Sequence, residues 1–318
     1  MTRVAAIDCG TNSIRLLVAD VDLAAGTLTD VVRRMEVVRL GQGVDRTGRI
    51  APEAMERTLD ACRRYAAEAR ELGAGPVRFV ATSASRDAEN RQEFVDGVRE
   101  AFGVEPEVVS GTEEAALAFR GATGALAGRF PGPFLVVDLG GGSTELVLGT
   151  TSPVASWSMD VGCVRMTERH LAGNPPSAEE VSAASADVEA ALDRAGKAVP
   201  LGRTATLVGL AGTVTTVTAH ALDLEEYDPA LIDGSVLPVD TVLASCRTLL
   251  GMTVKRRAAL PFMHPGRVDV IGAGALVWSG VVSRVRAEVG RAGGDLRTVV
   301  TSEHDILDGI AWSAAERG

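Results

Sequence analysis

Aromatic residues are scarce in this chain: seven Phe, three Trp and two Tyr among 318 residues, 4% in all. A core without them has to be assembled from Ala, Val and Leu, and a hydrophobic content of 46% supplies the material. Cysteine and histidine are scarcer still, with four of each. Cys9, Cys62, Cys163 and Cys246 are scattered, with no CxxC pair and no His at ligand spacing. That excludes a disulfide framework and a zinc site; they read as reduced core residues of a cytoplasmic protein. Basic residues are outnumbered, 32 against 42 acids, for a net charge of −10. This balance excludes a general nucleic-acid binder, and any polyanion must be handled by local cations, backbone amides and metal rather than by the overall field. Long apolar runs are missing too. The two longest stretches poor in charge, 204–222 and 268–283, are broken by Gly, Thr, His or Asp. Each is expected to form a strand and a helix inside an α/β domain rather than a span of about 20 apolar residues. The N-terminus opens directly on a strand pattern, with no basic stretch leading into an apolar signal segment, so a soluble protein is expected.

Several catalytic signatures are also missing. There is no GxxxxGK[ST] nucleotide loop and no GxSxG elbow. Gly272-Ala273-Gly274 lacks the third small residue of a dinucleotide fingerprint, because position 277 is Val. Asp20-Val21-Asp22 lacks the Thr or Val that follows in aspartyl-phosphate enzymes. His304-Asp305 has no suitably spaced partner among His170, His220 and His264, and reads as a helix start. Nucleophilic Ser, Cys or His catalysis therefore has no support.

What the chain does contain is written twice. A short apolar strand, 4–8, ends at Asp8; Cys9-Gly10-Thr11-Asn12-Ser13 turns it, and 14–19 starts a second strand. From Phe134 the pattern returns: a strand ends at Asp138, Leu139-Gly140-Gly141-Gly142-Ser143 turns, and 144–148 runs back. Asp8 and Asp138, Gly10 and Gly140, Ser13 and Ser143, and Leu16 and Leu146 match at one offset (138 − 8 = 130). A repeated strand–turn–strand unit signals duplicated domains. Glycines let successive backbone N–H groups converge on one anion, and Ser13 and Ser143 can add hydroxyl donors. Asp8 and Asp138 cannot face a phosphate without repulsion, so a divalent cation is implied between them.

Helices are expected at 52–72, 91–102, 113–124, 177–195, from Gly212, at 239–250 and from about Asp305. Strands are expected at 77–82, 104–109, 205–210 and 297–301. The alternation means α/β. The Gly- and Pro-rich stretch 125–133 marks the boundary, giving an N-terminal domain over 1–125 and a C-terminal domain over 126–302, with a final helix, about 303–318, that can pack back on the first. Ser110-Gly111-Thr112-Glu113-Glu114-Ala115 puts two acids on the first turn of a helix, about 100° apart, so at most one faces a ligand. Glu113 reads as a solvated acid complementing the helix dipole. Arg86 follows the 77–82 strand, at the carboxyl-end edge where ligands sit in open α/β sheets. Gly209-Leu210-Ala211-Gly212-Thr213 is a third small-residue turn that opens a helix.

Taken together, DCGTNSIRLLV (8–18), ATSASRDAEN (81–90), SGTEEA (110–115), DLGGGSTEL (138–146), GLAGTVTT (209–216) and RVDVIGAGA (267–275) resemble the Ppx/GppA family, exopolyphosphatases and guanosine pentaphosphate phosphohydrolases. The motifs occur in family order through nearly the whole chain, which looks like the short, two-domain members. The resemblance implies two actin-like (ribonuclease H-like, ASKHA superfamily) domains with an active-site cleft between them. It implies Glu114 as catalytic base and Arg86 as a phosphate-contacting arginine. Gly10, Asn12, Ser13, Gly140, Gly141, Gly142 and Ser143 would bind phosphate, with Arg165 as a further contact. Asp138, Glu145 and Asp8 would serve Mg²⁺ or Mn²⁺. The implied substrate is inorganic polyphosphate; guanosine pentaphosphate hydrolysis, or binding of guanosine penta- or tetraphosphate as a non-catalytic regulator, are the alternatives. No membrane or nucleic-acid partner is expected, and a homodimer is, since two-domain α/β enzymes often pair.

Overall fold

The computed structural model describes residues 1–81, 88–126 and 128–317. Arg86 lies outside the described residues. The chain divides into two compact units, 1–121 with 306–318, and 122–305.

In the first unit β1 (Thr2–Cys9) and β2 (Ser13–Asp22) form an antiparallel hairpin, and β3 (Thr27–Val37) pairs antiparallel with β2. Helix α1 (Pro52–Glu71), opened by proline at its first turn, leads to β4 (Val77–Ala81), parallel to β1. Helix α2 (Arg91–Phe102) leads to β5 (Glu107–Val108), parallel to β4, and α3 (Gly111–Leu126) follows. The sheet order is β3-β2-β1-β4-β5. The central strand is buried from Val4 to Cys9 because helices cover both of its faces, which is why it reads as an unbroken apolar run.

The second unit repeats this plan. Strands β6 (Phe134–Leu139), β7 (Thr144–Gly149) and β8 (Pro153–Met159) form the antiparallel set. Helices α4 (Cys163–His170) and α5 (Ala178–Ala198) precede β9 (Thr206–Leu210), parallel to β6. Ser177 caps α5 reciprocally with Glu180. Helix α6 (Ala211–Ala221), β10 (Val236–Pro238), α7 (Val239–Gly251) and α8 (Ile271–Arg291) come next, and β11 (Thr298–Thr301) completes the order β10-β11-β9-β6-β7-β8. The last helix, α9 (Ile306–Arg317), packs on β1, β2 and β4 of the first unit. Both units thus carry the same α/β plan, and the correspondence seen in the two turns extends to the order of the strands.

Stretch 268–283 departs from expectation: no strand forms there, and the segment enters one helix, α8. Its small residues serve packing. A Cβ on Gly272 would run into the Arg257 guanidinium, and one on Gly274 into Thr213 Oγ1, so both positions admit only glycine without rearrangement. The expected 104–109 strand shrinks to two residues. Each unit has its own apolar core, one centred on β1, β4, α1 and α2, the other on β6, α5, α7 and α8 with Trp278 fully buried. Among the described residues no helix is long and apolar enough to cross a membrane.

Candidate active site

The two glycine turns close with the same hydrogen bond. Gly10 N–H donates to the Ser13 carbonyl at 2.9 Å, and Gly140 N–H to the Ser143 carbonyl at 3.0 Å. Each turn is then latched from outside by amides of its own unit. In the first, Val38 and Arg39 donate to the Asn12 carbonyl (3.1 and 2.9 Å) and Gly41 to that of Thr11 (2.9 Å). In the second, Cys163 donates to the Gly140 carbonyl (3.0 Å), and Val164 and Arg165 to that of Gly141 (2.9 and 3.1 Å). The start of α4 is therefore spent on the turn itself, which brings the half-buried Arg165 beside it. Gly162 is required for this latch, because a Cβ there would come within 2.5 Å of the Gly141 backbone. Ser143 is buried, and Asn12 and Ser13 are half-buried. Asn12 also holds a buried Oδ1 with no hydrogen-bond partner among the described residues.

Matched turns carry opposite chemistry one step further on. Across the β1–β2 pair Asp8 faces Arg15; across the β6–β7 pair Asp138 faces Glu145. Directly opposed residues on antiparallel strands share a face, with Cβ atoms about 5 Å apart. Arg15 accordingly donates from Nη2 and Nε to Asp8 Oδ2 at 2.6 and 2.9 Å. Asp8 is thus held by a guanidinium in its own hairpin. Asp138 and Glu145, 7% and 1% exposed, place two carboxylates side by side, with Ser158 Oγ donating to Glu145 Oε1 at 2.7 Å. Two buried carboxylates set side by side offer the hard oxygen donors that a divalent cation takes. The signal was present in the sequence: at offset 130 Arg15 aligns with Glu145.

Further groups gather at the same sheet edges. In the first unit Val109 N–H bonds the Ala81 carbonyl at 3.1 Å, so α3 begins at the carboxyl ends of β4 and β5. Ser110 caps it, its Oγ accepting from Glu113 N–H at 3.2 Å. Glu114, one residue on, is 8% exposed. Glu113 is exposed, as expected of an acid at a helix start, and its Oε1 also accepts from the buried Arg78 at 3.0 Å.

In the second unit Asp138 stands in register with Leu210, so the Gly140 turn and the start of α6 share one edge. Ala211 there takes φ +67°, a left-handed conformation costing a non-glycine residue about 1–2 kcal/mol. Arg267 lies over Gly212, where a Cβ would meet its guanidinium at 2.5 Å, and donates to the Gly212 carbonyl (3.2 Å) and Thr216 Oγ1 (3.3 Å). Tyr227 beneath it donates to Glu303 Oε1 at 2.6 Å. Burial raises the Glu303 carboxyl above its usual range, with Asp305 and Asp233 adding to the effect. Sequence reasoning did not find Arg15, Arg78 or Glu303: Arg15 meets Asp8 through the hairpin register, and the other two act through partners distant in the chain.

Cysteine chemistry is absent from the site. All four thiols are buried, and burial pushes Cys163 up to about 11 and Cys62 and Cys246 up to about 12. A thiolate nucleophile is thereby disfavoured at neutral pH.

The Ppx/GppA phosphatase family model matches residues 17–294. Exopolyphosphatase 2 of Mycobacterium tuberculosis is 54% identical over 322 residues, covering 99% of each chain. Among solved structures, an exopolyphosphatase-like protein superposes with a TM-score of 0.95 at 46% identity, over 99% of both chains. The Aquifex aeolicus PPX-GPPA enzyme gives a TM-score of 0.79 at 30% identity, over 98% of this chain and 99% of that one. With the paired turns and the opposed carboxylates in place, these matches establish that the chain belongs to the Ppx/GppA phosphatase family.

Proposed function

We propose that this protein is an exopolyphosphatase, hydrolysing the terminal phosphoanhydride of inorganic polyphosphate and releasing orthophosphate in the cytoplasm. One observation carries the reading furthest: a glycine turn suited to a phosphate sits directly beside Asp138 and Glu145, two buried acids facing each other across β6 and β7. The 54% identity to an exopolyphosphatase supports the choice of substrate.

The donor set fits Mg²⁺ or Mn²⁺. Hard carboxylate oxygens suit either ion, and Mg²⁺ is commonly held by one or two carboxylates with water and substrate phosphates supplying the rest. Asp138 and Glu145 would hold the ion, and when bound it would offset the negative charge of the phosphates, which a protein of net charge −10 cannot do by bulk field.

The chain's own residues do the remainder. Backbone N–H groups of Gly141 and Gly142, with the Ser143 hydroxyl, bind phosphate oxygens, and Asn12 and Ser13 do so in the matching turn, while the Gly140 and Gly10 amides close the turns that shape each cradle. Arg86 and Arg165 contribute positive charge. Glu114 accepts the proton of a water that attacks the terminal phosphorus in line, and the leaving group is the polyphosphate shortened by one unit. Guanosine pentaphosphate presents the same terminal anhydride. Phosphate release from polyphosphates of defined length and from guanosine pentaphosphate, measured on one enzyme preparation with Mg²⁺ and again in EDTA, tests the proposal. Metal-dependent release from polyphosphate is expected; release from guanosine pentaphosphate alone, or binding without turnover, would overturn it.

A further inference from the structure

We propose that Glu113 and Arg78 form a positioning device that sets the rotation of helix α3, and with it the direction of Glu114. The inference rests on the assignment of Glu114 as the base, and it gives a mechanical role to an acid whose sequence context offered only a favourable charge at a helix start.

Arg78 is 4% exposed, on β4 between β1 and β5. Every direction of its guanidinium is engaged. Nη1 donates to Ser313 Oγ at 2.6 Å, Nη2 to Glu107 Oε2 at 2.7 Å and to Glu113 Oε1 at 3.0 Å, and Nε to both Glu107 oxygens at 3.2 Å. A buried arginine held this way on a central strand is a fixed point, and its planar fork transmits direction as well as attraction.

Helix α3 is the element held. Ser110 satisfies the Glu113 amide, yet the Glu113 carboxylate goes to Arg78. Glu113 and Glu114 are adjacent and so point about 100° apart around the axis. With Glu113 pinned towards β4, the azimuth of Glu114 is determined. The far end of the helix is fixed independently. A Cβ on Gly309 of α9 would run into the Leu117 carbonyl oxygen, so the two helices touch backbone to backbone. Arg120 makes a two-point pair with Glu316 (2.7 and 2.6 Å) and lies 5.9 Å from the Trp312 ring centroid. Ser313 of α9, which receives Arg78, donates in turn to the Ile310 carbonyl at 2.7 Å. Strand β4 and helix α9 therefore grip α3 at two points, and the Glu113 contact acts on the turn that carries Glu114.

A base must be held in hydrogen-bonding reach of its water, and a misplacement of about 1 Å can cost on the order of 10² in rate. Glu113→Ala removes the grip while leaving the amide cap and α9 in place. Glu113→Gln keeps an amide oxygen that can still accept from Arg78. Steady-state phosphate release from polyphosphate, with thermal melting to confirm the fold, separates the cases. Glu113→Ala is expected to lower kcat about tenfold or more with KM within about twofold of native, and Glu113→Gln to restore most of kcat. A Glu113→Ala kcat within about twofold of native overturns the proposal, as does an equal loss in both variants, which would assign the effect to charge. Glu114→Gln run alongside distinguishes the two levels. If it is inactive while Glu113→Ala is normal, the base assignment stands and the positioning role falls; if Glu114→Gln turns over normally, both fall.

Discussion

Replacing Glu145 by Gln probes the contrast between the two turns. Asp138 and Glu145 oppose each other on adjacent strands and are almost fully buried. Two unit charges about 5 Å apart at an effective dielectric near 20 repel by about 3 kcal/mol. Without a divalent ion the native protein bears that cost whenever both carboxylates are charged; the variant does not. The amide oxygen introduced by Glu145→Gln can still accept from Ser158, so the hydrogen bond made at Glu145 Oε1 is kept. For a unit of this size 1 kcal/mol moves Tm by about 2–4 °C. In EDTA, Glu145→Gln should therefore melt higher than the native protein, by up to about 10 °C. Added Mg²⁺ should reverse the difference: the native protein gains about 2.7 kcal/mol at a hundredfold excess over Kd, while the variant, with one charge fewer, gains little. Differential scanning fluorimetry across an Mg²⁺ titration reads both effects. The reasoning is refuted if the variant melts no higher in EDTA and the native protein shows no metal-dependent rise.

Two further outcomes concern packing and titration. Gly309→Ala drives a methyl group into the Leu117 carbonyl and should cost about 3 kcal/mol, read as a lower urea midpoint at unchanged slope. Glu303 has a raised native pKa, so its protonated form favours the folded state; that contribution is full below the unfolded carboxyl range and is lost as pH rises through the native value. Glu303→Gln should therefore melt higher than native at pH 7, with the gap closing towards pH 4; a gap constant with pH would contradict the burial argument.

The sequence was most legible where a single element carries its own signal. The glycine turns, the strands before them and helices such as Pro52–Glu71 and Arg91–Phe102 follow from local periodicity and turn chemistry. Strands β3 and β8 were not visible, because their side chains are largely exposed or half-exposed and show no clean alternation. They are held by backbone pairing to β2 and β7 at the edges of their sheets. Helix α8 defeated the reading of 268–283 because its glycines fit close packing against Arg257 and Thr213, contacts that no local pattern encodes. In the site, Asp138, Glu145 and the Gly140 turn were identified from sequence and lie together. The Asp8–Arg15 salt bridge was not visible, because it depends on cross-strand register. Glu113 stays exposed as expected but also meets a partner that local sequence could not show, Arg78, 35 residues away.

The central claim is that Glu114 turns a phosphate cradle into a hydrolase. Phosphate release from polyphosphate by Glu114→Gln, at saturating Mg²⁺ and with native-like melting, tests it most directly. A general base contributes typically 10²–10⁴-fold, so the account predicts a loss of at least about a hundredfold in kcat. Turnover within a few-fold of the native protein would contradict it.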